Sequence, residues 1–165
     1  MKCLIFSDSH NYMAHMSRAL RLHKDAEIVF FLGDGLSDID EIGYSCSAVK
    51  FLLVRGNCDF RMVALGEIVQ KAAEIEISGK RIVYTHGDLY GAKYGTAGLE
   101  KLARDRNADI VLFGHTHEPE LKYFGDGEKP FYLFNPGSIS SGRGSYGILT
   151  LTEGQEPLFS HGNFV

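Results

Sequence analysis

The stretch Asp109–His117, which reads Asp-Ile-Val-Leu-Phe-Gly-His-Thr-His, constrains the fold of this 165-residue chain more than any other segment. Its apolar run is typical of a strand that is buried on both faces. The run ends in a glycine followed by His115 and His117. Because side chains two residues apart on extended chain point the same way, we expect both imidazoles to reach one point beyond the strand. The alternative is a polar loop that holds two unrelated histidines.

The same pattern, an apolar run that ends in polar residues, recurs along the chain. The runs and the residues after them are Lys2–Ser7 with Asp8 and His10, Glu27–Gly33 with Asp34, Val49–Arg55 with Asn57, and Arg81–Thr85 with His86. Helical periodicity predicts a helix over about residues 11–24, capped by Ser9 or Asn11. The acidic segment Ser37–Glu41 predicts the start of a second helix. Strands that alternate with helices indicate a parallel, right-handed βαβαβ unit.

The second half of the chain has a different pattern. Alternating residues over Ala72–Ser78 predict a half-buried strand, which a Gly79-Lys80 turn joins to Arg81–Thr85. A helix is predicted over Tyr94–Arg106. Further strands are predicted at Phe131–Phe134, Tyr146–Leu151 and Pro157–Ser160. We therefore expect residues 1–165 to form one α/β domain, since a chain of this length can build a single core.

Composition narrows the classes of function. Apolar residues make up 44% of the chain and charged residues 23%, which is ordinary for a globular protein. The net charge of -4 argues against a dedicated nucleic-acid surface, though not against a nucleotide substrate. Three cysteines, Cys3, Cys46 and Cys58, form no disulfide framework and favour a cytoplasmic location. We find no signal peptide, and no run approaches the roughly 20 apolar residues of a membrane span.

The polar residues at the strand ends form one candidate constellation. Any one of them has a simpler explanation; Asp34, for example, is also typical of a plain turn. Together they are too many for a single ion, and they fit two metals that share one carboxylate. Imidazole, carboxylate and amide ligands favour Mn²⁺, Fe²⁺, Zn²⁺ or Ni²⁺. Two such ions activate a bridging water and bind phosphoryl oxygens, so hydrolysis of a phosphate ester is the expected reaction.

Five motifs follow one another along the chain: Asp8-x-His10, Gly33-Asp34, Gly56-Asn57-Cys58-Asp59, His86-Gly87 and Gly114-His115-Thr116-His117. In this order they resemble the signatures of the calcineurin-like metallophosphoesterases. The small size of the chain, the Gly-Asn-Cys-Asp form, Thr85-His86-Gly87 and Asn135-Pro136-Gly137-Ser138 make it similar to the YfcE-like phosphodiesterase subfamily. The resemblance implies a four-layer α/β sandwich of two stacked mixed β-sheets flanked by helices. It also implies a phosphodiesterase that acts through a dinuclear metal centre and a bridging hydroxide. The expected metal is Mn²⁺, with Ni²⁺, Fe²⁺ or Zn²⁺ as alternatives.

The resemblance also assigns the site residues. The first metal would be held by Asp8, His10, Asp34 and His117, and the second by Asp34, Asn57, His86 and His115. The catalytic residues would be His10, Asp34, Asn57, Cys58 and Asp59. Asn57 would also bind substrate. Arg143, shortly after the Asn135–Ser138 motif, is a candidate for a forked contact with a substrate phosphate, or else a surface arginine.

Two positions depart from the family pattern. Cys58 stands where the superfamily usually carries a histidine, and a neutral thiol is a weak donor. Asp88 stands where relatives often carry a second histidine, and it would orient a ligand imidazole or face solvent. The substrate is expected to be a small phosphodiester or a nucleotide, with a nucleotide or dinucleotide polyphosphate hydrolase as the alternative. A protein-binding scaffold similar to the retromer subunit is the non-enzymatic alternative, and a homo-oligomer is left open.

Overall fold

Two five-stranded sheets form the centre of the computed structural model, which describes residues 1–43, 46, 48–140 and 142–164. The strands are β1 (Lys2–Phe6), β2 (Ile28–Phe31), β3 (Lys50–Leu53), β4 (Val63–Ala64), β5 (Glu67–Ile68), β6 (Ala72–Ile77), β7 (Lys80–Thr85), β8 (Ile110–Leu112), β9 (Pro119–Phe124), β10 (Phe131–Pro136), β11 (Ser145–Thr150) and β12 (Leu158–Asn163). The α-helices are α1 (Ala14–Leu22), α2 (Leu36–Gly43) and α3 (Ala97–Asp105).

Each sheet contains three parallel strands. The first sheet has the order β12-β11-β1-β2-β3, in which β1, β2 and β3 are parallel, as the predicted βαβαβ unit requires. The second has the order β6-β7-β8-β10-β9, in which β7, β8 and β10 are parallel. The carboxyl ends of parallel strands lie at one edge of a sheet, so the polar residues that follow them are brought together.

Three apolar clusters show how the layers pack. The middle cluster joins the sheets face to face, with Ile5 and Phe30 of the first sheet against Tyr84 and Phe134 of the second. The outer face of the first sheet packs against α1 and α2, and the outer face of the second against α3. The order helix, sheet, sheet, helix confirms the predicted four-layer α/β sandwich. In the described residues no helix combines the length and apolar character needed to span a membrane.

Several predicted boundaries were wrong. Helix α1 begins at Ala14 rather than near residue 11, and its N-cap is Met13, which makes no side-chain capping bond. The predicted caps, Ser9 and Asn11, instead contact Asp38. Helix α3 begins at Ala97 rather than at Tyr94, because two short 3₁₀ segments, Asp88–Tyr90 and Ala92–Tyr94, occupy the chain before it.

The connections of the second half also differ from the prediction. Ser78 and Gly79, both at positive φ, form the β6–β7 turn, rather than Gly79 and Lys80. Strands β4, β5 and β9 were not predicted, because their residues are largely exposed and lack a clean alternation.

Two histidines of the predicted first helix, His15 and His23, have partners from elsewhere in the chain. The Nδ1 atom of His15 lies 3.0 Å from the Ser140 carbonyl oxygen, and the ring stacks on Phe164. The Nε2 atom of His23 lies 2.9 Å from the Tyr146 hydroxyl.

Candidate metal centre

The candidate ligands lie on sharp turns rather than on extended chain. Asp8, His10, Asp34, His115 and His117 all have positive φ, between 47° and 69°. This left-handed conformation is costly for residues with a side chain, and such strain is concentrated at functional sites. Because these loops are not extended, side chains two residues apart in them need not point in one direction.

The first group of candidate ligands, which we call the outer group, consists of Asp8, His10 and His117. The Nε2 atom of His117 lies 3.1 Å from Asp8 Oδ1 and 3.3 Å from His10 Nε2. The Asp8 carboxylate is fully buried, whereas the side chains of His10 and His117 are 37% and 47% exposed. Asp8 and His10 therefore face one point, together with His117.

The second group, the inner group, consists of Asp34, His86 and His115. The Nε2 atom of His86 lies 3.4 Å from Asp34 Oδ2, 3.1 Å from His115 Nδ1 and 3.1 Å from Asn57 Oδ1. Asn57 Oδ1 is therefore close enough to His86 to serve as a fourth ligand of the same ion. The prediction that His115 and His117 reach one point was wrong, because the two imidazoles belong to different groups.

Asp34 connects the two groups. Its ligand atom also lies within 4.8 Å of those of His10 and Cys58, which form a third cluster. Asp34 is thus near an imidazole of the outer group as well as near both imidazoles of the inner group. This placement is the one that a bridging carboxylate requires.

A backbone contact fixes the orientation of His86. Its Nδ1 atom lies 2.8 Å from the Leu32 carbonyl oxygen, which can only accept a hydrogen bond, so Nδ1 carries the proton. The Nε2 lone pair of the neutral ring then faces the centre, as in metal-bound histidines whose other nitrogen donates to a carbonyl. The ring itself is fully buried.

The electrostatics of the centre favour a cation. Against the effect of burial, the Asp34 and Asp8 carboxylates raise the pKa of His86. In the same way His86 and Cys58 hold the pKa of Asp34 below its usual range, although burial raises it. Asp8 Oδ1 is buried and has no hydrogen-bond partner among the described residues, yet three imidazoles surround it within 4.0 Å. Such an orphaned anionic oxygen among imidazole nitrogens fits a divalent metal ion.

Two glycines permit the close approach of these loops. A Cβ atom on Gly56 would lie 2.0 Å from Asp34 Oδ1, and one on Gly114 would lie 3.0 Å from Asp8 Oδ2. A side chain at either position would displace a candidate ligand. The glycines that recur after the apolar runs are therefore required by the geometry of the centre.

Asp59 supports the centre through the backbone. Its carboxylate accepts hydrogen bonds of 2.7–2.9 Å from the amides of Asp34, Gly35, Leu36 and Gly56. These amides include the start of α2, where a carboxylate is stabilised by the helix dipole. These hydrogen bonds connect the Asp34 loop to the Asn57 loop. They also occupy both oxygens of the Asp59 carboxylate.

Two buried polar residues support the centre in ways that the sequence did not predict. Asp38, which was predicted only as part of an acidic helix start, is buried and accepts hydrogen bonds from Ser9 Oγ and from the Asn11 amide. It therefore holds the loop that carries Asp8 and His10. Asn135 is fully buried, and its amide donates to the Gly114 carbonyl and to Thr116 Oγ1. No signal in the sequence marks them, because an aspartate or asparagine has the same sequence pattern whether it is buried or solvated.

Two other predicted residues lie elsewhere. Asp88 accepts a hydrogen bond from Lys71 Nζ at 3.1 Å rather than from a ligand imidazole, so the prediction that it orients such an imidazole was wrong. Lys71 also donates to the Gly56 carbonyl oxygen, which connects the Asn57 loop to the loop after His86. Arg143 is exposed and makes no hydrogen bond or ion pair in the described part of the chain.

The layered fold and the acid–histidine centre are those of a metallophosphoesterase, and comparison with known proteins agrees. The model of the calcineurin-like phosphoesterase superfamily domain matches residues 1–154. The probable metallophosphoesterase YsnB of Bacillus subtilis is 30% identical over 155 residues, 92% of this chain and 85% of YsnB. Phosphodiesterase YfcE of Escherichia coli is 30% identical over 172 residues, 90% of this chain and 87% of YfcE. The chain belongs to the calcineurin-like phosphoesterase superfamily, whose members bind divalent metals.

Solved structures show the same architecture. The structure of YfcE, a phosphoesterase from E. coli, matches with a TM-score of 0.66 at 25% identity and covers 91% of this chain and 88% of that chain. Wild-type Vps29 of Entamoeba histolytica, solved with Zn²⁺, matches with a TM-score of 0.74 at 19% identity and covers 99% of both chains. The likeness to Vps29 shows a shared fold alone.

Proposed function

We propose that the protein is a phosphodiesterase that requires two divalent metal ions. The observation that carries this proposal is the pair of ligand groups joined by Asp34, with the orphaned Asp8 Oδ1 buried between imidazoles. Asp8, His10, Asp34 and His117 would hold one ion. Asp34, Asn57, His86 and His115 would hold the other. Two ions bound there would supply Lewis acidity and an activated water for attack on phosphorus.

The remaining residues have distinct parts in this proposal. Asn57, which is exposed beside His86, is placed to contact a substrate oxygen as well as a metal. Asp59 would position the Asp34 and Asn57 loops rather than transfer a proton, since four backbone amides occupy its carboxylate. His10 would act as a ligand, and its part in proton transfer would be limited by that role. We assign Arg143 no part in the reaction.

The exposed Cys58 thiol would lie beside the leaving group. Nearby carboxylates reinforce the effect of burial and raise the pKa of Cys58, so the thiol stays neutral at pH 7. A neutral thiol is a weak hydrogen-bond donor and a poor general acid. We therefore expect diesters with good leaving groups to be better substrates than alkyl monoesters.

A protein-binding scaffold is the alternative, and the fold shared with Vps29 supports it. The buried centre argues against a scaffold alone. Burying Asp8, Asp34 and His86 without a ligand is unfavourable, and protein binding gives no reason to retain them. The protein would act on a small phosphodiester or a nucleotide in the cytoplasm, with Mn²⁺ as the expected metal.

A metal and activity screen tests the proposal. The purified protein would be stripped with chelator, reloaded with Mn²⁺, Ni²⁺, Fe²⁺ or Zn²⁺, and assayed on phosphodiesters, phosphomonoesters and nucleotides. We expect two ions per chain and metal-dependent hydrolysis of diesters. A protein that binds none of these ions, or that binds two and hydrolyses nothing, would favour the scaffold.

A further inference from the structure

Strand β9 forms one edge of the second sheet, and its outer side has no partner strand. In the part of the chain that the structure describes, β9 pairs with β10 alone. Two apolar side chains on β9 are well exposed: Leu121 is 47% exposed and Tyr123 is 58% exposed. An edge strand whose amides and carbonyls are unpaired is a template for another strand. This edge is therefore suited to extend the sheet.

The hydrogen bonds of β10 show which residues of β9 face the open side. The amide of Tyr132 donates to a carbonyl next to β8, so the backbone of Tyr132 points away from β9. Its neighbour Leu133 therefore exchanges hydrogen bonds with Lys122, the residue opposite it on β9. Backbone groups alternate in direction along a strand, so those of Leu121 and Tyr123 point to the open edge. Among the described residues these groups have no hydrogen-bond partner.

The two faces of β9 differ in character. Leu121 and Tyr123 share the face that is turned towards the first sheet, where the ring centroid of Tyr123 lies 4.8 Å from that of Tyr132. Glu120 and Lys122 lie on the opposite face, because side chains alternate along a strand. There they form an ion pair with 2.6 Å between Nζ and Oε1. The open edge thus carries apolar groups on one face, and one acid and one base on the other.

This arrangement of charges is complementary to itself. If two copies of β9 pair antiparallel about a two-fold axis at Leu121, Glu120 of each copy lies directly opposite Lys122 of the other. On the other face Leu121 meets its own copy, and Tyr123 meets Pro119. A register shift of two residues keeps the faces aligned, but it places Glu120 opposite Glu120 or Lys122 opposite Lys122, which is unfavourable. The charges therefore select a single register.

Strand β6, at the other edge of the same sheet, lacks this property. Its charged residues, Glu74 and Glu76, are both acidic. Antiparallel pairing of two β6 strands about their centre would bring glutamates together on one face, which is unfavourable. Like charges of this kind protect an edge strand from pairing with its own copy. The contrast assigns a second copy of the chain to the β9 edge rather than to the β6 edge.

We propose that the β9 edge binds a second copy of this chain, so that the two second sheets join into one ten-stranded sheet across a two-fold axis. Glu120 and Lys122 of both copies would form one network of four charges on one face of the joined sheet. On the other face Leu121 and Tyr123 would be covered. None of the candidate metal ligands takes part, so the inference does not depend on the proposed function.

Charge reversal tests both the identity of the partner and the register. Sedimentation velocity over a range of protein concentration would measure the association of wild type, Glu120→Lys, Lys122→Glu and an equimolar mixture of these two variants. Glu153→Lys, in an exposed turn after β11, is the control for net charge. We expect wild type and the control to dimerise, and each of the two variants alone to dimerise at least about tenfold more weakly. The mixture should regain the wild-type affinity, because every base then lies opposite an acid.

A second variant tests the backbone pairing. Leu121→Pro removes an amide that points to the open edge, where proline is tolerated within the monomer. We expect this variant to stay folded, as circular dichroism would show, and to remain monomeric. A folded Leu121→Pro protein that dimerises like wild type would overturn the inference.

The outcomes of charge reversal are equally distinct. A dimer that is weakened in each variant and regained in their mixture supports the inference, and the recovery also shows that both variants fold. A wild-type protein that is monomeric at every concentration overturns it, and the edge would then suit an extended segment of another protein. Dimerisation that both variants leave unchanged, or that their mixture does not restore, also overturns it. Diester hydrolysis is measured separately and alters none of these results.

Discussion

The two ligand groups of the centre differ in how they are held. In the inner group Asp34 and His86 are buried and His115 is half-buried, and the Leu32 carbonyl orients His86. The outer group has a buried carboxylate, Asp8, but its two imidazoles are more than one-third exposed. A buried and oriented ligand loses less entropy on binding a metal, whereas water can replace an exposed ligand that is removed. The inner group should therefore bind its ion more tightly.

The largest effect is expected where the two groups meet. Asp34→Asn should lower metal-dependent diester hydrolysis by about 10³-fold or more without unfolding the chain, because the change weakens both ion sites at once. Turnover and metal content would be measured on the same folded sample. Asp25→Asn, which changes an exposed carboxylate that pairs with Lys2, is the control. Near-normal turnover in a metal-saturated Asp34→Asn protein would refute the assignment.

Removing one imidazole from each group compares the groups directly. His86→Ala should weaken the binding of one ion by about 100-fold, and His117→Ala by about tenfold, since water can occupy the exposed position of His117. Calorimetric titration of each metal-free variant with Mn²⁺ gives both affinities and the stoichiometry. Equal losses of Mn²⁺ affinity in the two variants would show that burial does not make the inner group the tighter metal site.

Substituting Asp59 tests whether the inner group depends on the hydrogen bonds that hold the Asp34 and Asn57 loops together. Asp59→Asn should destabilise the metal-free protein by about 3 kcal/mol, because an amide cannot accept hydrogen bonds from all four backbone amides. Urea unfolding would measure the change, with Asp126→Asn on an exposed turn as the control. If the free energy of unfolding is unchanged while turnover is lost, Asp59 takes part directly in catalysis.

The last comparison concerns the leaving group. Cys58→His should lower the activation free energy for monoesters relative to diesters by about 2 kcal/mol, because an imidazole can be protonated near neutral pH. Matched p-nitrophenyl esters assayed over a pH series would measure the ratio. If wild type already cleaves alkyl monoesters as fast as diesters, or if the variant leaves the ratio unchanged, Cys58 does not set the preference.

Much of the centre could be predicted because local sequence patterns are tied to local geometry. Apolar runs that end in a glycine and an acid or histidine identified the strands, and parallel pairing brought their ends together. Asp38, Asn135 and Lys71 could not be predicted in this way. Their partners are distant in sequence, and an isolated aspartate, asparagine or lysine has the same sequence pattern whether it is buried or solvated.

His115 and His117 show where local reasoning about direction fails. Two residues apart on a strand they would face the same way, but positive φ at both positions sends them to different groups. That conformation is imposed by contacts from elsewhere: the Gly114 amide donates to the His86 carbonyl and the His115 amide to Asp8 Oδ2.

The sequence by itself determined the family, the four-layer fold and which residues would meet, since these depend on the order of apolar runs and motifs. Only the tertiary structure decided that Asp34 and His86 are buried whereas His10 and His117 are partly exposed, and that Asp59 supports the backbone. The physical reason is that burial, hydrogen-bond partners and charge pairing are properties of packed neighbours, which the chain brings together from positions far apart in sequence.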